Sequence, residues 1–167
     1  MIMVPNPTRT EQKRILLKAY VEQSQLEKAI EIILENRSTD TQLSLLGRLD
    51  DSYSEDSPKP LHEKETVKNY WRQRLGTSVD FGFFSNPETG TIFTVGPLVG
   101  TFLHDVEGTK LAELSAGLYG ILRGLGVASD QADAPIKTLV EGGFLLIVRG
   151  HDLELKKLED ILLSMEC

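Results

Sequence analysis

The distribution of glycine constrains this chain more than any other sequence feature. Of its 14 glycines, 13 lie between Gly76 and Gly150, where they recur at close intervals among apolar residues. Glycine permits tight turns and the close approach of a backbone to its neighbour. Such a segment can be a phosphate-binding loop, a membrane segment or a place of close packing, and each alternative indicates a different class of protein.

The glycines do not follow the pattern of a phosphate-binding loop. A P-loop carries a lysine after its last glycine, and the stretches GPLVGTF and GILRGLGV contain none. A dinucleotide-binding loop has Gly-x-Gly-x-x-Gly at the start of a helix. Gly124 and Gly126 instead follow a helical pattern, which is typical of a C-terminal cap. We therefore expect no cofactor.

The apolar part of this segment is too short for a membrane span. The run from Thr91 to Leu103 covers about 13 residues before His104 and Asp105 interrupt it. A helix that crosses a bilayer needs about 20 apolar residues. The sequence therefore predicts no transmembrane segment.

Close packing is the interpretation that remains. Gly96 with Gly100, and Gly117 with Gly120, lack side chains that would keep another element away, as in small-residue helix pairs. Pro97 fixes the direction of the chain after Gly96. The neighbour that approaches these glycines belongs either to the same chain or to another subunit.

Periodicity predicts a single α+β domain over residues 13–167, after a flexible N-terminal tail at 1–12 and with an exposed acidic loop at 50–61. A strand at 14–21, a helix that starts from a Ser24–Glu27 capping box and a strand at 41–49 form a β-α-β unit. The expected fold is a ferredoxin-like antiparallel or mixed sheet with additional helices and a Gly-rich helical insertion. The later elements are a helix at 62–76, a β-hairpin that turns at 86–90, a small-residue helix or pair of helices at 109–126, a helix at 129–141, a strand at 144–150 and a helix from Asp152.

Composition restricts partners and compartment. The net charge of −7 and a pI near 5.0 argue against non-specific binding to nucleic acid. The single cysteine, Cys167, excludes a disulfide within the chain. The first 12 residues lack the apolar run of a signal peptide, so we expect a cytoplasmic protein.

The titratable residues form no recognisable catalytic pattern. The three histidines, His62, His104 and His151, have none of the spacings of metal ligands, and no Gly-x-Ser-x-Gly elbow accompanies them. We expect no metal site and no enzymatic activity. A site assembled from the distant His104 and His151 is one alternative, and solvent-exposed histidines are the other.

Aromatic residues in and before the glycine-rich segment supply the candidate binding residues. They either fill the core around the glycines or line an apolar pocket or interface. The candidates are Trp71, Phe84, Phe93, Phe102 and Tyr119, together with Gly96, Pro97, Gly100, Gly117 and Gly120.

The stretches GPLVGTFL, GLYGILRGLGV and EGGFLLIVRG carry a resemblance. Over roughly residues 67–163 the chain resembles a bacterial family of general-stress-type proteins of unknown function. The resemblance implies a stress-related role and supplies no catalytic residues. Many members have a longer uninterrupted apolar middle, where this chain has HDVEGTKLAEL.

These observations favour a non-enzymatic protein that acts by self-association or by docking on a protein partner. Since the aromatic and small-residue segment offers more apolar surface than one chain covers, we expect a homo-oligomer. The alternative is a small-molecule-binding regulatory domain with an apolar pocket lined by the five aromatic candidates.

Overall fold

The computed structural model describes residues 13–49, 59–76, 79–86, 90–106, 108–113 and 117–165. The predicted tail at 1–12 and Cys167 lie outside the described residues, as does the predicted acidic loop as far as residue 58. In chain order the elements are β1 (Lys13–Tyr20), α1 (Gln23–Asn36), β2 (Gln42–Arg48), α2 (Lys59–Leu75), β3 (Phe81–Asn86), β4 (Gly90–Val95), α3 (Val99–Phe102), β5 (Asp105–Val106), β6 (Thr109–Lys110), a 3-10 turn (Leu111–Glu113), α4 (Gly117–Gly124), α5 (Ser129–Val140), β7 (Phe144–His151) and α6 (Asp152–Met165).

Five strands form one open sheet in the order β1-β7-β2-β4-β3. Every neighbouring pair is antiparallel, which confirms the α+β class and selects the antiparallel alternative. β1 and β2 therefore run in the same direction with β7 between them, so β1-α1-β2 is a split β-α-β unit. Within the part of the chain that the structure describes, β5 and β6 form a separate two-stranded pair.

Helices cover both faces of this sheet. Leu16, Leu45 and Leu146 lie in one core cluster with buried residues of α1, α2 and α6. Leu46 and Leu145 lie in a second cluster with buried residues of α3, α4 and α5. The interior strand β7 is consequently buried on both sides, which explains why its first five residues, FLLIV, are continuously apolar rather than alternating.

The start of α1 differs from the prediction. The N-cap is Glu22, which has extended backbone angles and makes no side-chain capping bond, so Ser24 already lies inside the first turn. The predicted Ser24–Glu27 capping box is therefore wrong. The Glu27 carboxylate instead accepts a hydrogen bond from Gln23 Nε2 at 3.2 Å and lies 3.1 Å from Arg74 Nε of α2.

The Gly96-Pro97 step closes the end of β4 against β2. Gly96 has φ +119°, and a Cβ at this position would stand 2.6 Å from the Leu43 carbonyl oxygen and 2.9 Å from the Ser44 Cα. Its amide donates to the Asp80 carbonyl at 2.9 Å. Only glycine combines this backbone angle with this contact, so the neighbour of Gly96 is its own chain.

Candidate functional site

The five aromatic candidates lie in two groups on opposite faces of the sheet. Trp71 and Phe93 stack with ring centroids 6.3 Å apart under α2. Phe84 and Phe102 stack at 5.8 Å on the other face, where Tyr119 packs half-buried. The sheet separates the two groups, so they do not line a single pocket. Four of the five are core residues, with exposures between 0% and 3%.

The glycine and proline candidates also fall into two groups, one buried and one exposed. Gly96 and Gly117 are buried, whereas Pro97, Gly100 and Gly120 are exposed. A Cβ added at Gly100 or Gly120 would meet nothing within 4 Å. Close packing inside the chain therefore accounts for Gly96, and the surface positions are open among the described residues.

The two candidate histidines lie in different surroundings. His104 is exposed after α3, in the layer that contains α4 and α5. His151 ends β7, with its Nε2 3.9 Å from Asp40 Oδ2. Within the described residues no group of three or more histidine, cysteine, aspartate or glutamate side chains is placed to hold a metal ion.

A polar cluster next to His151 joins α6 to the connection between α1 and β2. The Ser38 amide donates to Glu154 Oε1, and the Ser38 hydroxyl donates to Oε2 at 2.8 Å. Burial acts to raise the pKa of Glu154, but the hydrogen bonds from the Ser38 amide and hydroxyl and the charge of His151 outweigh it, so the pKa is lowered. The cluster thus anchors the first turn of α6.

The structure also contains a cleft that the sequence did not predict. It has a volume of about 430 Å³ and lies along the outer side of β1, whose single strand neighbour among the described residues is β7, on the other side. Its lining comes from β1, from the connection between α4 and α5, from the first turn of α5 and from α6. The lining residues are Ile15, Leu16, Leu17, Gly126, Val127, Gln131 and Glu159.

The two helical layers form the walls of this cleft. Ile15 and Leu17 pack with the layer of α4 and α5, and Leu16 packs with the layer of α1 and α6. Gln131 and Glu159 place an amide and a carboxylate on opposite walls. The cleft thus combines a strand edge, apolar side chains and two polar groups.

One signal in the sequence could have indicated this surface. Lys13, Arg14 and Lys18 give β1 three cations in eight residues, and charged side chains, lysine above all, are typical of edge strands. The interior strand β7 has Arg149 and His151, both near its end.

No known protein family, no characterised protein and no solved structure matches the chain. The resemblance to general-stress-type proteins therefore stays a prediction. Among the described helices, none has the length and apolar character that a membrane crossing requires. The fold and the cleft are the observations from which function is inferred.

Proposed function

We propose that this chain is a docking protein that binds an extended polypeptide segment along the outer edge of β1. The observation that carries this proposal is the cleft of about 430 Å³ beside that strand. A peptide that adds a strand to a sheet edge gains affinity from main-chain hydrogen bonds and specificity from its alternate side chains. The proposal makes the protein a binding module that acts without chemistry of its own.

The arrangement of the cleft supports a strand as the ligand. Side chains of an added strand point alternately to the two faces of the sheet. One set would contact Ile15, Leu17 and Val127, and the other would contact Leu16 and Glu159. Apolar contact on one side and a carboxylate on the other favour a segment whose two faces differ in polarity.

We also propose that the sheet has a ferredoxin-like origin. The split β-α-β unit formed by β1, α1 and β2 supports a ferredoxin-like origin for the sheet. In that case α3, α4 and α5 are additions that cover the second face. We propose that they leave the β1 edge as the accessible part of the sheet, in a protein whose setting is the predicted stress-related one.

A small-molecule ligand is the second candidate, because the volume of the cleft falls within the range of about 300–1,000 Å³ for ligand pockets. Its binding pocket would be the β1 cleft rather than a pocket lined by the five aromatic candidates. A thermal-shift screen against metabolites separates the candidates: a reproducible rise in melting temperature with a metabolite favours this one.

The test of docking blocks the cleft without altering β1. Gln131 is exposed and lines the cleft, so Gln131→Trp should fill it. Asp133→Trp is the matched control, because Asp133 is an exposed residue of α5 that does not line the cleft. Each protein is presented to a displayed library of random extended peptides, after circular dichroism has verified its fold.

We expect related peptide sequences to be enriched on the wild type and on Asp133→Trp, and to be lost on Gln131→Trp. Failure of the wild type to enrich any related sequences would refute the docking function. Equal enrichment on Gln131→Trp would move the docking surface away from the β1 cleft.

A further inference from the structure

We infer that the β1 cleft selects an extended segment with the pattern apolar-basic-apolar, in which a lysine or arginine pairs with the Glu159 carboxylate. This inference rests on the proposed docking function and names the chemistry of the partner. The observation that carries it is a half-buried carboxylate that lines the cleft and has no counter-charge among the described residues.

The Glu159 carboxylate lies in largely apolar surroundings. Its neighbours one turn away on α6 are Leu155 and Leu162, which are buried, Leu163, which is 45% exposed, and Lys156. Among the described residues Glu159 makes no ion pair and no side-chain hydrogen bond, with Lys156 or with any other group. Covering a carboxylate without giving it a partner costs free energy, so a segment that docks over Glu159 must supply that partner. The aliphatic stem of a lysine or arginine would at the same time cover Leu163.

Two cations of β1 have other partners within the chain. Arg14 Nε lies 3.7 Å from Asp152 Oδ1, at the start of α6. Lys18 already has an interaction within its own chain. Among the described residues that line the cleft, Glu159 is the one ionisable side chain, and the partner that it lacks is therefore left for the docked segment to provide.

Long-range charge favours a cation over a neutral hydrogen-bond donor. The chain has a net charge of −7, and on the opposite wall the exposed Asp130 precedes Gln131 in the first turn of α5. Complementary charge of this kind speeds association and favours cationic partners. Lys13 opposes it, but it lies three residues before Leu16, which is about 10 Å along a strand and beyond the Debye length of about 8 Å at physiological ionic strength.

The alternation of β1 sets the positions that flank the basic residue. Leu16 packs with the layer that contains α6, whereas Ile15 and Leu17 pack with the layer of α4 and α5. An added strand alternates in the same way. The residue beside Leu16 therefore faces Glu159, and the residues before and after it face the apolar wall that includes Val127. This arrangement gives the pattern apolar-basic-apolar.

The experiment reads the sequence that the cleft prefers. The displayed library of random extended peptides is selected on the wild type, on Glu159→Lys and on Asp160→Lys, after circular dichroism has verified each fold. Asp160→Lys is the matched control, because it changes the net charge equally and Asp160 is an exposed residue of α6 that does not line the cleft. We expect a lysine or arginine between apolar residues on the wild type and on Asp160→Lys, and an aspartate or glutamate at that position on Glu159→Lys.

A second measurement uses the conservative variant Glu159→Gln, which keeps the size of the side chain. Fluorescence anisotropy gives the Kd of one enriched peptide, and of the same peptide with its basic residue changed to alanine, for the wild type and for Glu159→Gln. We expect either change alone to raise the Kd about tenfold. The two changes together should raise it little further, because both remove the same contact.

The outcomes separate this inference from the docking function. A wild type that enriches no related peptides would refute both. Related peptides without a basic position, or with a basic position that persists on Glu159→Lys, would leave the docking function standing and overturn the inference alone. Additive effects of the two changes on the Kd would also overturn it. A wild type that sediments as a dimer which the enriched peptide cannot dissociate would identify a second copy of the chain, rather than a basic segment, as the occupant.

Discussion

The two edges of the sheet, β3 and β1, differ in what lies beside them. At the β3 edge, the Ser85 amide donates to Glu113 Oε2 at 2.9 Å, so the 3-10 turn supplies an acceptor for the strand. Gly82 leaves room beside β3 for the Leu103 side chain. At the β1 edge the helical layers stand apart, and the cleft lies between them. Exposed edges are a liability that proteins manage explicitly. Among the described residues, a glutamate side chain bonds to the backbone of the β3 edge, whereas a cleft lies beside the β1 edge.

A glutamate makes a stabilising contact near each edge: Glu113 near β3 and Glu154 near β1. Glu113 contacts the β3 backbone directly, whereas Glu154 holds α6, the helix that forms one wall of the β1 cleft, in place. If this comparison is right, loss of Glu154 should alter the cleft wall, and loss of Glu113 should open the other edge.

We expect Glu154→Ala to have the largest effect. It removes both hydrogen bonds from Ser38, and loss of two such bonds should lower the free energy of unfolding by about 1–2 kcal/mol at neutral pH. Urea denaturation measures this difference. Glu159→Ala, on the same helix without a hydrogen bond to Ser38, is the control and should change stability less.

This effect should depend on pH. The folded pKa of Glu154 is lowered, so folding favours its ionised form. Its contribution is present above the unfolded pKa and is lost as the pH falls through the folded pKa. The stability difference between wild type and Glu154→Ala should therefore be constant near neutral pH and shrink as the pH falls below about 4.5. A difference that grows on acidification would contradict the assigned role.

A smaller loss is expected for Glu113→Ala. The change leaves the Ser85 amide to water and should cost about 1 kcal/mol. Hydrogen exchange should become faster at Ser85 and remain unchanged in β1. Glu113→Gln retains an acceptor oxygen and should recover most of the protection. Unchanged exchange at Ser85 in Glu113→Ala would mean that another group closes this edge.

The smallest effect, and the opposite sign, is expected for Gly120→Ala. Gly120 lies inside α4, and an added Cβ would meet nothing within 4 Å. Alanine should raise the free energy of unfolding by up to about 1 kcal/mol and leave the enrichment of peptides unchanged. Loss of that enrichment would show that the glycine surface, rather than the β1 edge, carries the docking.

Much of the architecture was predictable because it follows from local sequence patterns, such as the spacing of apolar residues. Leu26, Ala29, Ile30 and Ile33 have the spacing of one helix face, and all are buried in α1. The β3–β4 hairpin and the continuous apolar strand β7 were also predicted correctly. Gly76 caps α2 with its amide 2.8 Å from the Arg72 carbonyl oxygen, as expected.

The candidate site was less predictable. Trp71, Phe93, Phe84 and Phe102 carry no sequence signal for the face of the sheet to which they point, because that depends on strand order. The cleft depends on β7 pairing between β1 and β2, which leaves β1 outermost. The pairing of β1 with β7 joins residues more than 100 positions apart, and no local pattern encodes it.

The sequence by itself determined most of the elements and the antiparallel-compatible α+β class. Short-range patterns suffice for these, because periodicity, turns and backbone angles are properties of neighbouring residues. Only the tertiary structure decided which strand became an edge, which glycines stayed open to solvent and where the cleft lies. Those features arise from contacts between distant segments, so they exist only once the chain has folded.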